Sequence, residues 1–183
     1  MVIYFIILII VIGALGFFMV KHLTNVINKK FVYDNGIVKS TVKNGVEIIQ
    51  FSQDHMKKGG LPVIPLKFNG LTYNFLIDSG ANINVLDRRV FEEVNKDKTI
   101  SLREGTTITT GGGVSEEVGQ KADITFKYKN RKFEEIFDIL DVSVAFDNIQ
   151  LVDGVTLHGI LGTHFFNKHR WILDFENMVV WIK

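Results

Sequence analysis

The sequence predicts a mainly β domain with one or two short helices, preceded by an N-terminal transmembrane helix. Three observations carry this reading. Residues 62–77 and 122–140 each alternate apolar and polar positions on either side of a tight turn, as paired strands do. The run Met1 to Val20 carries no charged side chain and is long enough to span a bilayer. The whole chain has 183 residues, enough for one domain and an appendage. Its net charge of +1 sets up no strong field and gives no support for nucleic acid as a partner. The absence of cysteine excludes disulfides and thiolate metal sites.

The uncharged run reads as an uncleaved anchor over residues 1–21 rather than a signal peptide or a buried helix. No Lys or Arg precedes it, and Gly16-Phe17-Phe18-Met19 is a poor cleavage exit. Lys21, Lys29 and Lys30 follow the span, which by the positive-inside rule leans the remainder of the chain towards the cytoplasm. Residues 22–60 are polar and read as a juxtamembrane tether with one strand near Val46 to Ile49. The glycine pair in Lys57-Lys58-Gly59-Gly60 marks a hinge, so the globular domain is expected over 61–183.

Within that domain Ile64, Leu66 and Phe68 alternate with Pro65 and Lys67, Asn69-Gly70 makes the turn, and Leu71, Tyr73 and Phe75 return. The return strand delivers Asp78 at its end, in the stretch Phe75-Leu76-Ile77-Asp78-Ser79-Gly80-Ala81-Asn82-Ile83-Asn84-Val85-Leu86. The apolar flanks place this carboxylate near the core, where its charge needs donors or a second carboxyl to share a proton. Ser79 supplies a hydroxyl and Gly80 permits close backbone approach. Asp87 is placed to cap a short helix packing through Val90, Phe91 and Val94.

Thr106 to Gly119 holds three consecutive glycines, Gly111, Gly112 and Gly113, and reads as a hairpin tip. A phosphate cradle would need Gly-Lys-Ser/Thr and a helix directly after the glycines, and neither is there. A second hairpin runs from Ala122 to Tyr128, turns at Lys129-Asn130-Arg131 and returns through Phe133 to Leu140. Asp141 to Thr156 reads as a solvated loop, Leu157 to Gly162 as a buried strand, Thr163 to His169 as a short helix, and Trp171 to Phe175 with Met178 to Ile182 as a closing hairpin. His158, His164 and His169 do not have a ligand spacing, so they read as structural and no metal is expected.

Three motifs in order carry a resemblance: strand-borne Asp78-Ser79-Gly80-Ala81, the Gly-rich hairpin about thirty residues on, and Gly159-Ile160-Leu161-Gly162 followed by a short helix and Trp171-Ile172-Leu173-Asp174-Phe175. From Leu61 to Lys183, about two thirds of the chain, the segment resembles a retropepsin-like aspartic protease, a closed β-barrel with a psi-loop. Asn82 departs from the second Asp of many retroviral members, and His164 from the Asp of many cellular ones; neither is the catalytic carboxylate.

The resemblance implies a homodimeric peptidase in which two Asp78 carboxyls share a proton and activate water, with no cofactor and no metal. Ser79 and Gly80 would hold the carboxylates coplanar. Ala81, Asn82, Ile160, Leu161 and the tip at Gly111 to Gly113 would meet an extended polypeptide substrate. Two other readings remain at this point: a catalytically silent β domain that binds peptides at the membrane, and a structural tether domain in which Asp-Ser-Gly is an ordinary turn.

Overall fold

A computed structural model of the chain describes residues 38–43, 45–51, 60–108 and 117–182. The expected anchor over 1–21 and the glycines Gly111 to Gly113 lie outside the described residues. Among the described residues no helix is long and apolar enough to cross a membrane.

In chain order the elements are β1 (Val38–Lys43), β2 (Val46–Phe51), β3 (Val63–Phe68), β4 (Leu71–Ile77), β5 (Val85–Asp87), α1 (Arg88–Val94), β6 (Arg103–Ile108), β7 (Glu117–Tyr128), β8 (Arg131–Leu140), α2 (Ser143–Asp153), β9 (Gly159–Leu161), α3 (Thr163–His169), β10 (Ile172–Asp174) and β11 (Val179–Ile182). The larger sheet has the order β3-β4-β9-β5-β8-β7-β6, and a further pairing of Lys67 on β3 with Lys127 on β7 closes its first six strands into a barrel. A second sheet has the order β1-β2-β11-β10.

Local chemistry sets the hairpins. Asn69 and Gly70 both take positive φ, 45° and 83°, the turn whose twist matches the paired strands β3 and β4. Between β7 and β8, Lys129 takes φ 52° in a two-residue loop that pairs Tyr128 with Arg131. The Asp87 carboxylate accepts from the Arg89 N–H at 2.8 Å and caps α1 as the sequence predicts.

The barrel is filled by aromatic rings. Phe68 stacks on Phe75 and Phe126, while Phe133, Phe165 and Trp171 meet edge to face. Helix α3 closes one side with Phe165 and Phe166 buried, and its last turn reaches back to the buried Glu135 carboxylate through His169 at 2.5 Å and Lys168 at 2.7 Å.

Three expectations are corrected. Part of the expected tether, residues 38–51, forms two strands rather than one, because β2 pairs with β11 at the far end of the chain and buries Ile49 and Phe51 in the main core. The expected loop at 141–156 holds the helix α2, so the domain has three short helices among the described residues. Val142, Phe146 and Ile149 recur at helical spacing and pack on Val63, Leu76 and Ile160, and Gly154 ends the helix at φ 69°.

Candidate active site

Strand β4 ends at Ile77, whose N–H donates to the Pro62 carbonyl at 2.8 Å. The next N–H, that of Asp78, donates to the Leu161 carbonyl at 3.0 Å, so the carboxylate-bearing residue is tied to β9, 83 positions along the chain. Asp78 then turns the chain. Its Oδ1 accepts from the Gly80 N–H at 2.8 Å, and its carbonyl accepts from the Ala81 N–H at 3.3 Å. The Ala81 carbonyl in turn takes both the N–H and the hydroxyl of Thr163, at 2.8 and 3.1 Å.

This turn is held from beneath by β9, which runs parallel to β4 on one side and antiparallel to β5 on the other. The chain therefore leaves β4, makes the turn, and re-enters as β5 with β9 threaded between them, the psi arrangement. Gly162 makes the threading possible. A Cβ there would fall 2.2 Å from the Ile83 carbonyl oxygen, inside the backbone it passes. The Gly162 N–H donates to the buried Asn84 side-chain oxygen at 3.1 Å, and the Asn84 amide group donates to the Ile136 carbonyl at 3.3 Å. Asn84 thus stitches the turn to β8 and β9. It and Thr163 are positioning residues that sequence reasoning did not single out; a polar residue between Ile83 and Val85 in an apolar run was the available signal for the first.

The expected site residues divide. Asp78 is half-buried, while Ser79, Gly80 and Asn82 are exposed and Ala81 is half-buried. The carboxylate is thus more open than its apolar flanks predict, because the turn lies beyond the last ladder pair, Ile77 with Leu161. Leu161, expected to meet substrate, has its side chain fully buried in the core and serves the site through its carbonyl. Ile160 faces the opposite way, as alternation along a strand requires, and is half-buried beside α2. The hairpin β6–β7 leads towards Gly111 to Gly113, with Ile108 paired to Glu117 as its last described rung.

No histidine serves the turn. Burial pushes the His158 imidazole down to about 4, and its Nδ1 accepts from the Asn74 N–H at 2.9 Å, so the ring is neutral with its proton on Nε2. His169 is committed to Glu135 and His164 is exposed. Among the described residues no group of three or more His, Asp or Glu is placed to hold a metal ion.

Residues 64–165 match the family described as aspartyl protease, over more than half of the chain and including the Asp78 turn and the Gly162 crossing. The chain belongs to that family. Similar solved structures include a retropepsin-like aspartic protease from Rickettsia conorii, at 17% identity over 79% of this chain and 94% of that one with a TM-score of 0.49. The EIAV protease complexed with the inhibitor HBY-793 is similar at 22% identity over 59% of this chain and 86% of its own, TM-score 0.44. The retroviral protease-like domain of Ddi1 from Leishmania major aligns at 12% identity over 67% and 94%, TM-score 0.43. No curated protein matches the chain.

For this aspartyl protease the Asn84 stitch generates a prediction. Asn84→Ala leaves the Gly162 N–H and the Ile136 carbonyl without that partner, and should lower stability by about 1–3 kcal/mol. The urea midpoint, followed by fluorescence of the buried Trp171, measures it; an unchanged midpoint would show that the stitch contributes nothing.

Proposed function

We propose that this aspartyl protease works as a homodimer, held at a membrane by residues 1–20, and cleaves extended polypeptide segments. One observation supports the assembly. The described barrel carries one Asp-Ser-Gly turn, and that turn lies half-open at the rim of the sheet rather than closed over by its own barrel. A second copy brought up across a two-fold axis would supply the second carboxylate.

Two Asp78 carboxyls facing each other across that axis could not both ionise cheaply, so the pair would hold one proton and titrate in two coupled steps. The ionised member takes a proton from a bound water, which attacks the scissile carbonyl. The protonated member donates to the developing oxyanion, and the proton is then passed to the leaving amine. The Gly80 N–H, already on Oδ1 of Asp78, fixes the plane of each carboxyl, and the Leu161 and Thr163 bonds fix the turn beneath it.

Asp78→Asn fills the same space but cannot act as a base. It should reduce peptide cleavage at least about a hundredfold while leaving far-UV circular dichroism unchanged. Full activity in the folded variant would remove the protease mechanism. Co-expressing equal amounts of wild-type and Asp78→Ala chains should leave about a quarter of the activity of an all-wild-type sample at the same total concentration, because only that share of randomly formed dimers keeps both carboxylates. About half would instead point to a site complete in one chain.

The anchor and the orientation follow from the uncharged span and from Lys21, Lys29 and Lys30 after it. The full chain is expected in the membrane fraction, with its C-terminal domain protected from protease added to intact cells. Recovery in the soluble fraction would overturn the anchor, and shaving of the domain would overturn its cytoplasmic side.

A further inference from the structure

Closing the barrel sets three lysines side by side. Lys67 on β3 stands opposite Lys127 on β7, and Lys127 stands opposite Lys132 on β8. Residues directly opposite in neighbouring strands project to the same side, with Cβ atoms about 5 Å apart. Their strand neighbours Phe68, Phe126 and Phe133 are buried in the core, so the three lysines point away from it, and all three are exposed. Lys132 holds Glu134 at 2.6 Å. Among the described residues Lys67 and Lys127 have no carboxylate within ion-pair distance.

Like charges directly opposite one another repel. An anionic surface laid over the line would turn that repulsion into attraction. The line also lies where the chain enters the barrel. Lys129, two residues beyond Lys127, bonds Ser40 on β1 and Glu47 on β2, each at 2.7 Å. Ser40 is two residues, about 7 Å, into the first described strand. Residues 21–37 separate Val20 from Val38, a reach of at most about 60 Å.

We propose that Lys67, Lys127 and Lys132 dock the barrel on the anionic lipid headgroups of the bilayer that holds residues 1–20. This rests on the anchor reading above and goes beyond it, since an anchor by itself does not set which side of the barrel faces the bilayer. The tether keeps the lysines within reach of the surface, at high effective concentration. Basic residues close to an anionic leaflet each add an attraction that falls off within a Debye length, about 8 Å in physiological salt. Three in line on one rigid barrel meet the surface together and orient the domain. The overall charge of +1 is compatible with this, because the attraction is local on that scale.

The chain has no cysteine, so a fluorophore can be attached at one introduced thiol. Full-length protein carrying Asn130→Cys, in the turn beside Lys129, or Val152→Cys, exposed on α2, is reconstituted into vesicles and floated. The vesicles are phosphatidylcholine alone or with phosphatidylserine added, each holding a lipid with a nitroxide quencher on its headgroup. The label at 130 should be quenched at least about twofold more with phosphatidylserine than without, and added salt should abolish the difference. Replacing all three lysines, Lys67→Gln with Lys127→Gln and Lys132→Gln, should abolish it as well, and the label at 152 should respond in neither vesicle. Equal quenching in the two lipids, quenching that survives the triple replacement, or quenching at 152 instead would overturn the docking. So would a label at 130 that ignores lipid and responds to added duplex DNA, which would give the lysines to nucleic acid. Flotation with neither vesicle removes the anchor and this docking with it, whereas flotation with both and no quenching removes the docking alone. Flotation with the phosphatidylserine vesicles only would keep the role of the lysines and remove the anchor.

Discussion

The structure depends on the passage of β9 between β4 and β5. Three strands of three to seven residues cannot hold a half-open turn by themselves, but threading gives β9 a partner on each edge. The crossing is tight enough that Gly162 has no room for a side chain, and there the Asn84 oxygen takes its N–H. The Asp78 carboxylate inherits its position from this knot. Its own N–H is the next hydrogen bond after the Ile77–Leu161 ladder pair. The carboxylate thus sits at the end of a rigid element, and the exposed part of the turn is limited to Ser79, Gly80 and Asn82.

The two faces of the sheet do different work. The inner face holds the interlocked aromatic rings and supplies the larger part of the buried apolar surface. The outer face is divided. Helix α2 covers Val63, Leu76 and Ile160, whereas Val85, Asp138 and Lys121 continue the same row away from that cluster. There Asp138 is buried, with the Lys121 ammonium 3.8 Å from its Oδ1.

Local signals were legible wherever one short stretch decided the outcome. Asn69-Gly70 specified its turn, Asp87 its helix cap, and Thr163 to His169 a helix with the boundaries expected. Helix α2 was missed because Asp147, Asn148, Asp153 and Gly154 read as loop composition, while the periodic residues Val142, Phe146 and Ile149 are few and mixed with the exposed apolar Val144, Leu151 and Val152. Strand β1 was missed for a different reason. Val38 to Lys43 has little apolar character, and its place as a strand comes from pairing with β2, which in turn pairs with the C-terminal β11.

By itself the sequence determined the β class, the hairpin turns and the position of Asp78 at a strand end, because each of these rests on the spacing of neighbours along the chain, and three motifs in order carried the resemblance to aspartic proteases. Tertiary structure alone decided which strands lie side by side beyond the hairpins. Leu161 faces the core and lends the site only its carbonyl, Asn84 joins β8 to β9, and Asp138 comes into register with Val85 across 53 positions of chain. Alternation along a strand says that a residue faces one side or the other. Only the partner strands, brought together by burial of the aromatic core, say which side that is.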